Sequence, residues 1–521
     1  MKRFIFIVTS VIAAFLFFSF LSRTDIKKDK LVYVLYDESI AWDSIIIRDI
    51  TSKIGDRGYK VETGVFQPNE INSYIISNPD AIYISDNPIE SNFYSLTNFD
   101  YSLVKVAVTN KNSTIRSISG KEFDNLLISK KTSDTEIWKK IKKGRVPLGI
   151  ISFENLNLDI KPIPVDDIYP TLYNINSGLY KKVFSANIVV KDNSILNDNP
   201  SLLYDLGQWR ENTFSIIAGG DIMLTRGANK YIRDFGVDYP FLSIREEIIK
   251  HDIAFANLES PVSHRGSIYS PFKKGIYFKA DPEVLEGLKF AGFDVFSLAN
   301  NHVLDWGIDA VSDTMELLDK SGFRYSGVGE TREEALKPAV FYMKDTSVAF
   351  VSFNDIYPFV INQSGKTMWT LTFKRSEPEI DPEIDLEKEI KELKSKYDIV
   401  IASVHSGIEY VPEPESEKVK KMRELIDYGV DVVLGGGPHV IQGIEVYKGG
   451  IIAYSLGNFI FDQDWSKETS LGLLLEISFL GEKPVYFNPS VLTIDKAQAK
   501  LINNGESEFI LTYLNITGGD L

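Results

Sequence analysis

The chain has 521 residues, more than one hydrophobic core usually serves, and its 44% hydrophobic and 12% aromatic content excludes a mainly disordered protein. A formal charge of -15 with no long basic stripe excludes a nucleic-acid groove as its main business, because phosphate backbones are held by clustered Lys and Arg. The lack of cysteine excludes disulfides, thiolate metal sites, cysteine nucleophiles and a lipidated-cysteine anchor.

Residues 4–21 form an apolar run broken only by Thr9, Ser10 and Ser19, with Lys2 and Arg3 ahead of it. That is the pattern of a signal segment or a single membrane span. No small-x-small cleavage site follows Leu21, which favours an uncleaved anchor at 1–30. Lys2 and Arg3 are opposed by Arg23, Lys27, Lys28 and Lys30, so the positive-inside count does not orient the span. An N-terminal span followed directly by a large domain acts most often as an export signal. The expectation is a cell-membrane protein with its bulk outside the cytoplasm.

Residues 31–199 alternate strand-like and helix-like runs, with strands expected at 31–36, 81–85 and 103–108, and read as a small α/β domain. Within 104–130 a strand precedes a helix start at Ser119-Gly120-Lys121, and 145–180 ends in YPTLYNINSGLY. These segments are similar to the phosphate-type periplasmic binding proteins, although the two full lobes that close on a ligand are lacking. The alternative is an α/β spacer that positions the next domain or contacts a partner. The polar segment 191–211 contains Asn199-Pro200 and breaks the strand periodicity, which places a linker at 200–212.

From Thr213 onward, short apolar runs at 214–218, 253–256, 294–298, 347–352, 399–404 and 432–434 read as buried strands. Helical periodicity at 310–320, 386–396 and 417–428 fills gaps between them, so 213–480 is expected to be a layered α/β sandwich, followed by C-terminal strands and a tail over 481–521.

The strand ends carry the chemistry. Gly219-Gly220-Asp221 closes the first run, Asn257-Leu258-Glu259 the second, and Asn300-Asn301-His302 the third, with Asp305 and Gly307 beyond. His405 follows the 399–404 run, and His439 follows 432–434 after three glycines and a proline. Functional groups collect at the carboxyl ends of strands in open α/β sheets. Only five histidines exist in the chain, and His302, His405 and His439 all stand at such positions; His251 and His264 do not. Each histidine alone reads as a satisfied or surface residue, whereas together with carboxylates and an amide they read as a metal site. Oxygen and imidazole donors suit Mn, Fe, Zn or Mg, one or two ions per chain.

The order GDIM, NLE, NNHxxDxG, HxGxEY, GPHV and YSLGNFIF resembles the CapA/PgsA family of capsule and poly-γ-glutamate synthesis proteins, itself similar to the calcineurin-like metallophosphoesterases. The resemblance implies a four-layer α/β/β/α sandwich, two β layers flanked by helices, with a two-metal site at the strand ends. It assigns Asp221, Glu259, Asn301, His405 and His439 as metal ligands, with Glu259 placed to bridge. His302 becomes the acid or transition-state stabiliser, and Asp305 the residue that orients its ring or, alternatively, a charge at a helix start.

Two positions depart from the phosphoesterase pattern. Met223 stands where those enzymes carry histidine, and Gly437 stands two residues before His439 where another histidine is expected, so one metal position loses a ligand. Glu409 is a candidate to compensate, or a loop carboxylate meeting a basic partner. Two functions follow: a metal-dependent hydrolase or transferase acting outside the cell on a surface polymer, or a non-catalytic, membrane-anchored factor in a polymer-synthesis or export complex. Arg226, Lys230, Lys273 and Lys274 are candidates for a basic surface toward a polyanion, or for an ordinary solvated face.

Overall fold

The computed structural model describes residues 31–37, 45–56, 59–66, 81–85, 96–111, 113, 115–129, 133–191, 212–269, 275–356, 360–372 and 385–502. The apolar run 4–21 lies outside the described residues, as do Lys273 and Lys274. Among the described residues no helix is long and apolar enough to cross a membrane.

Contacts divide the chain into two units, Met1–Lys105 with Lys181–Glu211, and Val106–Tyr180 with Asn212–Leu521. In the first, strands Lys60–Phe66, Leu31–Asp37 and Ile82–Ser85 pair in parallel, and Val183–Lys191 runs antiparallel to Ile82–Ser85 and to the start of Leu96–Asn110. Helix Ile45–Asp56 places Ile46, Ile50 and Ile54 at four-residue intervals on one face, and this face buries Val32, Val34 and Ile84.

In the second unit, the end of strand Leu96–Asn110 pairs antiparallel with Ile160–Ile163. The helix expected at Ser119 starts there: it spans Gly120–Ser129, and Ser119 and Glu122 form a reciprocal capping box, with Glu122 N donating to Ser119 Oγ at 3.2 Å and Ser119 N donating to Glu122 Oε2 at 2.8 Å.

The rest of this unit is built on two sheets, whose strands are labelled here in chain order. The 8-stranded sheet contains β1 (Thr213–Ile222), β2 (Ile253–Leu258), β3 (Val295–Ser297) and β4 (Arg324–Ser326). The 6-stranded sheet contains β5 (Ala339–Met343), β6 (Thr346–Asn354), β7 (Ile399–His405), β8 (Val432–Gly436), β9 (Ile444–Tyr447) and β10 (Gly450–Ala453). The chain then returns to the first sheet with β11 (Asn458–Ile460), β12 (Leu471–Leu480), β13 (Lys483–Asp495) and β14 (Gln498–Leu501). Strands β1 to β4 are mutually parallel, as are β6, β7, β8 and β10, so within each sheet these carboxyl ends share one edge.

Alternation along each strand explains the layering. Ile216 and Ala218 of β1, Phe255 of β2, Phe350 of β6 and Ile399 and Ile401 of β7 share one core between the sheets, where the Phe255 and Phe350 rings stack at 5.8 Å. Their strand neighbours point the other way. Ile217, Ala254 and Phe296 pack under helices α1 (Arg226–Phe235), α2 (Arg245–Ile248), α3 (Val284–Ala291) and α4 (Gly307–Ser321). On the far side, Val400, Ala402 and Val433 pack under α5 (Leu386–Lys396) and α6 (Ser416–Tyr428). The order of layers is therefore helices, sheet, sheet, helices.

One close approach fixes the edge where the functional strand ends lie. Strand β11 enters beside β1 so tightly that Asp221 N donates to Gly457 O at 3.0 Å, and Asn458 comes into register with Asp221. A Cβ on Gly220 would lie 1.9 Å from Gly457 O, so only glycine fits. Gly220→Ala is expected to cost about 3 kcal/mol or more, at or beyond the upper end of ordinary overpacking because the obstacle is backbone. A thermal melt of the variant equal to that of the parent would refute the assignment.

Candidate metal centre

Asp221 sits near the end of β1 with no exposed surface, and its Oδ1 accepts from Asn257 Nδ2 at 2.8 Å. Glu259 follows β2, is equally buried, and is anchored through its own N–H to Ile222 O at 2.9 Å. After β3 the chain turns on Asn300, whose side-chain oxygen accepts from His302 N at 3.1 Å and Val303 N at 2.9 Å. The Asn300 amide nitrogen is committed to Leu258 O and Asn257 Oδ1 at 2.9 and 3.1 Å, so Asn300 builds the turn while Asn301 faces the site.

His405, the last residue of β7, is set between two amides. Asn257 Nδ2 lies 3.2 Å from its Nδ1 and Asn301 Oδ1 lies 3.0 Å from its Nε2, a pairing satisfied when Nδ1 accepts and Nε2 donates. Its ring is 3.9 Å from Asp221 and 3.7 Å from Glu259. His439 approaches from the glycine-rich loop after β8, with Nδ1 3.4 Å from Asp221 Oδ2 and Nε2 3.7 Å from Glu259 Oε1. The structure thus brings Asp221, Glu259, His405 and His439, all buried, and the half-buried Asn301 into one cluster.

The two ligand-type histidines differ in charge. Burial pushes His405 down to about 3, with Asp221 only partly opposing it, so its ring is neutral. Burial also disfavours charge on His439, but the Glu259 and Asp221 carboxylates overcome it and hold this ring up to about 9. Burial alone would raise Asp221; hydrogen bonding to His439, the neighbouring imidazoles and the Asn257 amide hold its carboxyl below the ordinary range.

The donors fit a divalent cation. Asp221, Glu259 and His405 each offer an atom, and these atoms lie within 4.8 Å of one another. Buried carboxylates beside a neutral imidazole call for positive charge, and oxygen with imidazole nitrogen suits Mn, Fe, Zn or Mg.

His302 and Asp305 form a separate pair at the edge of this cluster. His302 Nδ1 is 2.7 Å from Asp305 Oδ2, and the same oxygen accepts from Phe278 N at 2.8 Å. The Phe278 ring stacks on His302 at 4.0 Å, so ring plane and tautomer are both fixed. Asp305 precedes α4 and serves the imidazole rather than the helix terminus.

Several participants were not singled out by sequence. Asn458 holds His439 Nδ1 at 3.0 Å while its amide nitrogen reaches Thr469 O at 2.9 Å and Gln463 Oε1 at 3.2 Å, which aims the amide oxygen at the imidazole. Asn257 and Phe278 belong with it, and Asn257 and Asn458 lie inside the NLE and GNF motifs without a period that marks them. Met223 is buried with Phe278 and Phe461 and accepts from Thr225 through its sulfur, so it fills space beside the site. Glu409 is exposed, as is His264, and His251 is tied to Ser215 Oγ at 3.1 Å.

The glycines before His439 have distinct roles. Gly437 has φ of +106°, and a Cβ there would meet the Ser406 backbone at 2.8 Å. A Cβ on Gly436 would instead point at Asp221 Oδ1, 2.8 Å away, with His405 Nδ1 at 3.5 Å. The position whose side chain would enter the cluster is therefore 436.

Residues 215–463 match the family described as bacterial capsule synthesis protein PGA_cap. The capsule biosynthesis protein CapA of Bacillus anthracis is 31% identical over 256 residues, covering 49% of this chain and 61% of that one. The PGA biosynthesis protein CapA of Bacillus subtilis is 33% identical over 260 residues, covering 49% of this chain and 65% of that one. The chain thus spans less than two thirds of the length of either relative. An ABC-type phosphate transport receptor from Vibrio cholerae is 12% identical, covering 40% of this chain and 98% of that one at a TM-score of 0.20, too low to inform the fold. Residues 215–463, which contain the whole cluster of carboxylates, amides and imidazoles, are thus the part of the chain that is similar to the PGA_cap family of bacterial capsule synthesis proteins.

Proposed function

We propose that the protein is a membrane-anchored, extracytoplasmic factor in capsule or poly-γ-glutamate biosynthesis or export, with a metallophosphoesterase-type sandwich and a metal-dependent hydrolase site. The convergence of Asp221, Glu259, Asn301, His405 and His439 beside an oriented His302–Asp305 pair carries this reading. Burying two carboxylates costs several kcal/mol each, of order, unless a cation compensates them, and a scaffold gains nothing from that arrangement. Those five residues would hold one or two divalent ions. Such an ion, when bound, supplies Lewis-acid polarisation of a phosphoryl or carbonyl oxygen.

The remaining steps belong to the chain's own groups. Asp305 holds His302 Nδ1, which leaves Nε2 as the atom that exchanges a proton with the leaving oxygen. Arg226 lies with its guanidinium 5.7 Å from the Phe278 ring, where it meets an anionic substrate, and Asp462 at 3.3 Å from its Nε orients it. Expected partners are the membrane and a surface polymer or its synthesis complex.

A second reading, a non-catalytic assembly or export factor, is favoured by Gly437, which stands where the resemblance expects a histidine and so leaves one ion position short of a ligand.

Metal content and aryl phosphate hydrolysis of the purified full-length protein separate the two. Asp221→Ala and His439→Ala are expected to lower bound metal, and His264→Ala to leave it unchanged. His302→Ala should retain metal but lose roughly two to four orders of magnitude in turnover. No metal in the parent, or no hydrolysis with metal bound, selects the assembly reading.

Gly436→His should lower metal occupancy, because its Cβ would stand 2.8 Å from Asp221 Oδ1 and push that carboxylate out of place. Gly437→His should instead lower the melting temperature, since it forces a bulky residue to positive φ against backbone. The reverse pattern would show the loop geometry to be misassigned.

Protease added to intact protoplasts should digest the main body of the protein. Full protection would overturn the extracytoplasmic placement.

A further inference from the structure

The rings around the metal centre form a continuous row that ends in solvent. His302 stacks on Phe278 at 4.0 Å, Phe278 meets Phe461 edge-on at 6.0 Å, and Phe461 lies 4.8 Å from His439. Beyond His439 the row continues to Tyr410 at 6.3 Å, and from Tyr410 to Trp465 at 5.8 Å. Phe278 and Phe461 are buried, whereas Tyr410 is 44% and Trp465 58% exposed. Among the described residues Trp465 is the one exposed tryptophan. The last two rings stand at 80° to each other and make an open corner beside the cluster. Large aromatic side chains left in water at the rim of a buried polar site mark a surface that something else covers.

Tyr410 is held there against its backbone preference. It lies on the loop between β7 and α6 with φ of +66°, a region that bulky residues avoid. Its N–H donates to Pro438 O at 2.8 Å, directly before His439. Its hydroxyl accepts from Gln463 Nε2 at 3.3 Å and donates to Glu409. Gln463 Oε1 in turn accepts from Asn458 Nδ2 at 3.2 Å, the amide that holds His439. An exposed ring fixed through both backbone and hydroxyl is a rigid surface, and strain kept at such a place points to a task for it.

Charge decides what the corner can take. The charged groups that act on the Tyr410 hydroxyl are Glu409, Arg226 and Glu259, two carboxylates and one guanidinium. Asp464, also exposed, precedes Trp465, and Lys467 and Glu468 follow it. An extended chain with a carboxylate on every residue, as γ-linked glutamate is, meets like charge here. A sugar ring does not. Its hydroxyls donate to carboxylates, and its slightly positive C–H faces meet the negative faces of aromatic rings. Arg226, 5.7 Å from the Phe278 ring, serves a single phosphoryl group attached to that sugar.

We propose, resting on the reading of the centre as a metal-dependent site for a surface polymer, that Tyr410 and Trp465 form a subsite for a pyranose ring of a phosphate-bearing sugar or glycan. Trp465 and Tyr410 are then specificity-determining residues, which select a ring-bearing substrate over an acyclic one.

Titration calorimetry of the full-length protein tests this with the 1-phosphates of glucose, galactose and N-acetylglucosamine against glycerol 1-phosphate, which carries the same anion and hydroxyls without a ring. At least one sugar phosphate is expected to bind about fivefold or more tightly than glycerol 1-phosphate. Trp465→Ala, at an exposed position, should bring that ratio close to one, and Tyr410→Ala should reduce it. Tyr342→Ala, which removes an exposed ring on β5, should leave it unchanged. Titrations in the His302→Ala background repeat the measurement without turnover. Because affinity is read rather than hydrolysis, a parent that cleaves nothing but shows the ratio and its loss in Trp465→Ala keeps the subsite and drops the hydrolase reading. Aryl phosphate hydrolysis by a parent that prefers none of the three sugars drops the subsite alone. A preference untouched by Trp465→Ala, or tighter binding of γ-glutamylglutamate than of every sugar phosphate, would also overturn the proposal.

Discussion

The contact between two glycines, Gly220 on β1 and Gly457 at the entry to β11, governs the chemistry of this protein because it lets two backbones meet with no side chain between them. Through it Asn458 is brought level with Asp221. Asn458 in turn fixes His439, and His439 lies against both carboxylates. A single additional carbon at residue 220 would therefore be felt at every one of these positions, since close-packed interiors transmit small displacements.

The electrostatic balance of the centre is uneven in a way that suits a cation. His405 is neutral because burial strips its charged form of water, whereas His439, equally buried, is drawn toward the charged form by two carboxylates. A proton on His439 and a divalent ion, were one held by the same donors, would answer the same need for positive charge and so compete. Metal affinity should accordingly depend on pH through His439 as well as through the carboxylates.

Much of this was legible in the sequence, and the part that was not has a physical cause. Buried strands announce themselves as short apolar runs, and a carboxylate or histidine immediately after such a run is conspicuous, which is how Asp221, Glu259, His302, His405 and His439 could be picked out. Asn301 was separable from Asn300 only by resemblance; the structure shows why the two differ, since Asn300 spends its amide on the turn. Asn257 and Asn458 escaped because an amide inside a buried strand has no periodic signature. At the glycine loop the resemblance singles out residue 437, whose positive φ and close approach to the Ser406 backbone are visible only in the structure, as is the direction of 436 toward Asp221.

The return of the chain to its first sheet after β10 has a consequence for how this fold can be cut. Strand β12 is hydrogen-bonded to β1 on one side and to β13 on the other, and its Leu473, Leu475 and Ile477 are buried. Any truncation ahead of Lys483 would turn β12 into an open edge, ten residues long and rich in leucine, with every second backbone amide exposed. Such an edge invites pairing with another chain, so β13 and β14, which carry none of the chemistry, act as the seam that keeps copies of this molecule from joining sheet to sheet.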